Sequence, residues 1–218
     1  MSILYGVSPS PFVRKTMLAH AHKNIPFEIK ITLPSSDDEE FRQASPMGKV
    51  PGYKTDDGVA FADSSVIVAY LERTSSNNAL YPEKASDYAQ ALWFEEWGDS
   101  EMMSATGALY FQKVIGPIFF KHETDLKRVD EILTDLIPKV FDLLESRLTP
   151  QSWIIGDKLT IADITVGSCL ISLLHANYQI EQSRWPKLYS YNDRFLALPI
   201  VQAQIANEQD VLNHAAGE

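Results

Sequence analysis

Three short stretches carry side chains of types and spacings that could bind and activate a nucleophile. The first is Ser8-Pro9-Ser10-Pro11-Phe12-Val13-Arg14. A short apolar segment, Ile3-Leu4-Tyr5, precedes it and reads as a strand. Val13, Met17, Leu18 and Ala21 follow at helical spacing. Ser10 therefore falls at the N-cap of a first helix, with Pro11 at the first helical position, where its fixed φ and missing N–H do no harm. A lone serine there is ordinarily no more than a cap. A hydroxyl at a helix N-terminus can also hold a thiolate, because that end of the helix favours negative charge. In a strand–turn–helix of this kind, Ser10 and Val13 stand where a redox protein would place Cys-x-x-Cys, which excludes dithiol chemistry at this place.

The second stretch is Lys49-Val50-Pro51, just before a short strand. A proline there is a candidate cis bond, although an ordinary loop proline is commoner. A cis bond would leave the Val50 N–H and C=O facing outward, able to pair with the backbone of a bound peptide. The third stretch is Asp63-Ser64, at the start of another helix. Plain capping would explain both residues. Ser64 and the free N–H groups of the first turn also suit a carboxylate, and Asp63 suits an amine beside it. A ligand with a thiolate, a peptide bond, and an adjacent carboxylate and amine answers to all three stretches. Glutathione is such a ligand.

The elements that must position these residues follow from the pattern along the chain. Phe27 to Ile31 alternates apolar and charged residues, as a half-buried strand does. Thr32 to Glu40 is a polar, acidic loop, with a short helix through Phe41. Gly52-Tyr53-Lys54 and Val59-Ala60-Phe61 flank Asp56-Asp57-Gly58, a hairpin signal. Val66, Ile67, Tyr70 and Leu71 line one face of the helix that Asp63-Ser64 opens. Thr74 to Asn78 and Tyr81-Pro82 form a polar linker, so the expected domains are residues 1–76 and 83–218. The second is expected to be all-helical. One long helix should run over 86–114 until Gly116-Pro117 breaks it. Another should run over 125–148, kinked or divided at Pro138. Thr160 and Asp163 have capping-box spacing before an apolar helix that reaches about His175, which should form the core of that domain.

Composition narrows the field. The 218 residues carry 29 acidic and 19 basic side chains, a formal charge of −10. That argues against nucleic acid and anionic membrane surfaces as partners. No apolar run approaches a membrane span, and no leader pattern opens the chain. The single cysteine, Cys169, rules out an intrachain disulfide and fits a reducing cytoplasm; within an apolar helix it reads as buried and inert. His20 and His22 are two apart on a helix and face different ways, so no metal is expected.

In this order and spacing, Leu4-Tyr5, Ser10-Pro11-Phe12, Gly48-Lys49-Val50-Pro51, Asp63-Ser64-Ser65-Val66-Ile67 and Leu159-Thr160-Ile161-Ala162-Asp163 resemble the cytosolic glutathione transferase family. Ser10-Pro11-Phe12 looks like its serine-type branch, close to the plant tau pattern and to many bacterial members. The resemblance implies an α/β thioredoxin-like N-terminal domain, an all-α helical-bundle C-terminal domain, and a homodimer. It implies that Ser10 donates to the glutathione thiolate and that Val50 pairs with the cysteinyl backbone. Lys49 would lie near the peptide's carboxylate end, with Asp63 and Ser64 at the γ-glutamyl end. Tau-like members often carry a lysine upstream of the Lys49 loop. Residues 32–41 contain no Lys or Arg, which leaves Arg42 as the substitute. Tyr5 is a rival hydroxyl, near where tyrosine-type members place theirs. Met103, Tyr110 and Phe111 are candidates to line an apolar electrophile pocket, and Asp99 or Glu101 to reach a partner subunit's ligand. The activity implied is conjugation of glutathione to a small electrophile. The alternatives are glutathione-dependent isomerisation or dehalogenation, or a non-catalytic interaction module of the same fold.

Overall fold

The computed structural model describes residues 1–150 and 152–217. The chain divides into two compact units, Met1–Leu80 and Tyr81–Glu218.

The first unit is α/β. Strand β1 (Ser2–Gly6) runs into helix α1 (Pro11–Lys23), which returns the chain to β2 (Phe27–Ile31). β1 and β2 pair in parallel, the arrangement for which a helical crossover is needed. Helix α2 (Glu39–Ala44) precedes β3 (Gly52–Lys54), which pairs antiparallel with β1 and with β4 (Ala60–Ala62). The sheet order is β2-β1-β3-β4. The Asp56-Asp57-Gly58 turn closes the hairpin, with Thr55 N–H on Val59 C=O and Gly58 at φ 90°. Helix α3 (Ser64–Thr74) completes the unit and packs on α1. Leu4, Tyr5, Tyr53 and Phe41 are buried at its centre.

β2 forms where its sequence predicts, but without the expected buried face. Ile29 and Ile31 are exposed, while Phe27 packs on the His20 ring and Lys30 lies over the Tyr5 ring. β2 is an edge strand, so alternation in its sequence does not report a face covered on both sides.

The second unit is helical. Its helices are α4 (Ala85–Trp97), α5 (Met103–Tyr110), α6 (Leu126–Glu131), α7 (Ile137–Arg147), α8 (Ile161–His175), α9 (Pro186–Leu196) and α10 (Pro199–Ala216). Three stretches of wider π winding, Gly98–Met102, Phe111–Phe120 and Ile132–Leu136, join α4 to α5, extend α5, and join α6 to α7. The expected break at Gly116-Pro117 does not occur. Pro117 sits inside the second π stretch, and winding ends only at Lys121, in a left-handed conformation at φ 55°. A proline removes one backbone donor and crowds the preceding turn, and the wider winding accommodates both. Pro138 likewise follows directly on a π stretch, at the start of α7.

α8 is the core of this unit, as its composition predicts: every residue from Ile161 to Leu173 is buried. Gly167 is required there, since a Cβ would meet the Phe195 ring at 2.0 Å. Cys169 is buried, its thiol 3.5 Å from Gly98 C=O. The Asp163 carboxylate closes the start of α8. Oδ2 accepts from Thr160 N–H (2.8 Å) and hydroxyl (3.0 Å), and Oδ1 from Ile154 N–H (2.9 Å) and Tyr191 hydroxyl (3.1 Å). Burial pushes its carboxyl up to about 6, against the pull of these four donors.

Candidate functional site

Ser10 stands at the N-cap of α1 with extended backbone (φ −69°, ψ 125°) and Pro11 behind it. Its main chain does the capping. The N–H donates to Val7 C=O (3.0 Å) and the C=O accepts from Arg14 N–H (2.8 Å). Its side chain makes no cap hydrogen bond. The hydroxyl is thus not committed to the helix, which is the role that would otherwise explain a serine here. Below it, the fully buried Arg14 reaches Pro9 C=O at 3.4 Å, a long contact that borders the same turn.

The peptide bond between Val50 and Pro51 is cis. Among the described residues, no hydrogen bond occupies the Val50 N–H or C=O. Unpaired backbone of this kind is what an added strand requires. Val50 packs its side chain on the Tyr5, Phe41 and Ala44 cluster. Ser45, buried below the loop, donates its hydroxyl to Lys49 C=O at 2.6 Å and so fixes the residue before Val50.

Asp63 caps α3 from a backbone few side chains adopt, φ 83° and ψ 131°. Oδ1 accepts from Ser65 N–H (2.9 Å) and Val66 N–H (3.3 Å), and the Asp63 C=O accepts from Ile67 N–H (3.0 Å). The first turn is therefore less open than its sequence predicts. Among the described residues, the Ser64 N–H is the donor of that turn left without a partner. Ser64 is buried and Asp63 exposed. A non-glycine residue at such a φ costs about 1–3 kcal/mol and marks positions where geometry is held for a purpose.

Lys49, Val50, Asp63 and Ser64 line one cavity of about 340 Å³, together with Phe12 and Met47. Ser10 is not among its lining residues. Phe12, two positions on, supplies the contact from α1. Sequence reasoning named Phe12 only within the Ser10-Pro11-Phe12 motif, and it did not single out Met47. The available signal was their place in the turns around Ser10 and Lys49.

Tyr5 is fully buried, with its hydroxyl 3.5 Å from Glu40 Oε2. Burial, and then the Glu40 charge, raise its phenol above the usual value. Arg42 is turned to its own loop. Nε donates to Ser36 C=O (2.6 Å), Nη2 to Ser35 C=O (3.0 Å), and Asp37 lies 3.6 Å away. It staples the loop to which it belongs. His20 is buried, its Nδ1 3.0 Å from Ile25 C=O, and burial lowers its imidazole to about 4. Among the described residues, no cluster of three or more His, Cys, Asp or Glu could hold a metal ion, and no helix is long and apolar enough to cross a membrane.

In the helical unit, two of the candidate pocket residues have aromatic neighbours of their own. Tyr110 is buried against His175, and Phe111 packs with Phe120 and His122. A cavity of about 370 Å³ in this unit is lined by residues of α8, of α9 and of the segment between them, including Leu170, Leu174, Tyr178 and Asp193.

Residues 4–79 match the family model for the glutathione S-transferase N-terminal domain, and residues 110–208 match that for its C-terminal domain. The chain belongs to the glutathione S-transferase family. Among its relatives is the glutathione S-transferase-like protein LUC7 of Fusarium sp, 28% identical over 86% of this chain and 85% of that one. Glutathione S-transferase stcT of Emericella nidulans is 28% identical over 82% and 79%. Elongation factor 1-gamma of Artemia salina is 26% identical over 77% of this chain, which spans 36% of that protein's length. Among solved structures, an epsilon-class glutathione S-transferase from the housefly, Musca domestica, is 26% identical with a TM-score of 0.80, covering 100% of this chain and 98% of that one. A glutathione S-transferase-I solved with lactoylglutathione is 25% identical with a TM-score of 0.84, covering 94% and 99%.

Proposed function

We propose that this member of the family is an active glutathione transferase of the serine type. In this reading glutathione lies along the cavity of the first unit. Its cysteinyl backbone pairs with the Val50 N–H and C=O. Its γ-glutamyl carboxylate meets the Ser64 hydroxyl and N–H, and its amine meets Asp63. Lys49 attends the glycyl end. The observation that supports this most directly is one cavity that gathers Lys49, Val50, Asp63 and Ser64, with the Val50 backbone groups unpaired.

Ser10 then donates a hydrogen bond from its hydroxyl to the glutathione sulfur. A free thiol has a pKa of about 8.5 and is mostly protonated at neutral pH. A hydroxyl donor and the positive end of α1 both favour the ionised form. The thiolate attacks an electrophilic carbon of a small, apolar molecule, forming a carbon–sulfur bond and expelling the leaving group with its electron pair, or adding across a polarised double bond. The gain comes from a larger thiolate fraction and from holding both reactants in one place. The protein works in the cytoplasm as a homodimer, in a detoxifying role, with Asp99 or Glu101 at the partner subunit's ligand.

The relatives named elongation factor 1-gamma favour a second reading, a binding module that uses the same fold without turnover. Isomerisation or dehalogenation would use the same first site with a different second substrate. Retention on immobilised glutathione, followed by a panel of aryl halides, epoxides, dehalogenation substrates and cis-enone isomerisation substrates, separates the three. Binding without turnover of any of them would overturn the enzymatic reading. Light scattering should give about twice the 24.5 kDa chain mass, and a monomer would overturn the dimer.

A further inference from the structure

Helix α8 is buried without a gap from Ile161 to Leu173, and at the next residue the burial stops: Leu174 is 43% exposed. The helix ends just beyond. Asn177 turns left-handed at φ 54°, with its N–H on Leu174 C=O (2.9 Å) and the Tyr178 N–H on Leu173 C=O (2.9 Å). A left-handed residue commonly closes the last carbonyls of a helix in this way. It also fixes Tyr178, whose ring packs edge-on to Phe141 with centroids 6.0 Å apart. On α9, which packs against α8, Tyr189, Asn192, Asp193 and Leu196 stand at i, i+3, i+4 and i+7, the spacing of one helix face. These two helices and the segment between them bound the cavity of about 370 Å³, a volume within the range of small-molecule sites.

The lining has two chemistries. Leu170, Leu173, Leu174 and Leu196 offer apolar contact. Tyr178, Tyr189, Asn192 and Asp193 offer polar side chains, and among the described residues none of these four side chains is held by a hydrogen bond or ion pair. Other polar residues of α9 are tied to the framework: Lys187 to Glu145, Tyr191 to Asp163 and Arg194 to Ser152. Among the described residues that line the cavity, Asp193 alone is charged at neutral pH. Burial raises the Tyr178 phenol above its usual value, so it remains a neutral hydroxyl. The nearby cations are engaged elsewhere. Arg184 lies 3.2 Å from Asp142, and Arg194 lies over the Trp153 and Tyr191 rings. A carboxylate only accepts hydrogen bonds, and the tyrosine hydroxyls and the Asn192 carbonyl can accept as well. An ammonium group, with three donors and a positive charge, satisfies such a set. An anion meets Asp193 and the field of a chain with formal charge −10.

We infer that the α8–α9 cavity is a second binding site, for small amphipathic amines whose apolar body lies on the leucines and whose ammonium meets Asp193, Asn192 and a tyrosine hydroxyl. This goes beyond the transferase reading and does not rest on it.

The test is an NMR titration of the full chain, read at the leucine methyl groups. The probe is phenethylamine, protonated at neutral pH. Phenethyl alcohol has the same body without the charge, and hydrocinnamate carries the opposite charge. Wild type should bind phenethylamine with shifts centred on Leu174 and Leu196. Phenethyl alcohol should bind about fivefold more weakly, and hydrocinnamate more weakly still. Asp193→Asn should bring the amine down to the affinity of the alcohol and leave the alcohol unchanged. Leu174→Gln should weaken amine and alcohol alike, because it removes apolar contact and no charge. Both substitutions alter exposed side chains, so thermal melts should stay near wild type. Asp63→Asn, at the other carboxylate assigned to an amine, should leave these shifts in place. No binding, equal affinity for the three probes, or shifts centred elsewhere would overturn the assignment. So would an amine affinity that Asp193→Asn leaves intact or that Asp63→Asn abolishes.

Discussion

The Ser45 hydroxyl donates to the Lys49 carbonyl at 2.6 Å, and Ser45 itself is buried, so the loop that presents Val50 is tied down one residue before the backbone it offers. A ligand strand pairs only with backbone already held in place; otherwise binding also bears the entropy of ordering the loop. Ser45→Ala removes a hydrogen bond whose net worth is about 1 kcal/mol. It should raise KM for glutathione by roughly fivefold and lower Tm slightly, with kcat nearly unchanged. A fall in kcat at constant KM would mean that the loop serves the reacting end instead.

Asp63 has two duties that different substitutions separate. Its Oδ1 caps α3, and in the proposed reading its charge meets the ligand amine. Asp63→Asn keeps a cap oxygen and removes the charge, so Tm should stay near wild type while KM for glutathione rises by roughly tenfold. Asp63→Ala removes both, so it should show the same KM and an added loss of about 1 kcal/mol in stability. Steady-state kinetics beside thermal melts decide this. Parallel loss of Tm and affinity in both variants would reduce Asp63 to a cap.

Much of this site was legible because its residues are also punctuation. Ser10-Pro11, Pro51, Asp63-Ser64 and Thr160-Asp163 mark starts of elements, and the chemistry of caps and prolines is local. The arrangement of Asp63's own cap was harder to see. Its carboxylate and carbonyl take three N–H groups of α3, so Ser64 retains the unpaired one, and spacing alone does not divide donors among acceptors. Phe12 and Met47 line the cavity through tertiary packing, which no local pattern records. Continuation of the helix through Pro117 was illegible for another reason. Propensity treats proline as a stop, and the π winding that carries it packs against α10, far along the chain.

Two buried groups should give opposing pH dependences in one window. Burial raises Asp163 from 3.8 to about 6, so the folded state disfavours its charge. Its contribution is most favourable below about pH 4 and is lost as pH rises to about 6, a swing on the order of 3 kcal/mol. Burial lowers His20 from 6.5 to about 4, so the folded state disfavours its protonation. Its contribution is present above about pH 6.5 and is lost as pH falls to about 4, by a similar amount. The two nearly cancel in wild type. Asp163→Asn should therefore lose stability more steeply than wild type as pH falls from 6.5 to 4, and His20→Gln should gain relative to wild type over the same range. Denaturant midpoints across that window are the measurement. Parallel curves for both variants would show that neither group titrates as its burial requires.

Ser10 carries the heaviest claim, because its hydroxyl makes no cap bond although it stands at the cap position. If it holds the glutathione thiolate, Ser10→Ala removes one charge-assisted donor, worth about 1.5–3 kcal/mol. Turnover should fall roughly tenfold to a few hundredfold. The pH–rate profile should also move to higher pH. The donor stabilises the ionised thiol, so without it the bound thiol titrates higher and more base is needed to form the thiolate. Glutathione binding should survive, since Val50, Asp63 and Ser64 are untouched. Tyr5→Phe is the control. Its phenol is buried, faces Glu40 and is raised above its usual value, so losing it should leave the profile in place and cost only modest stability. The measurement is kcat/KM against pH for both variants with one reactive aryl halide. A large loss with a pH shift in Tyr5→Phe, and neither in Ser10→Ala, would transfer the chemistry to the buried phenol and leave Ser10 a residue of the turn.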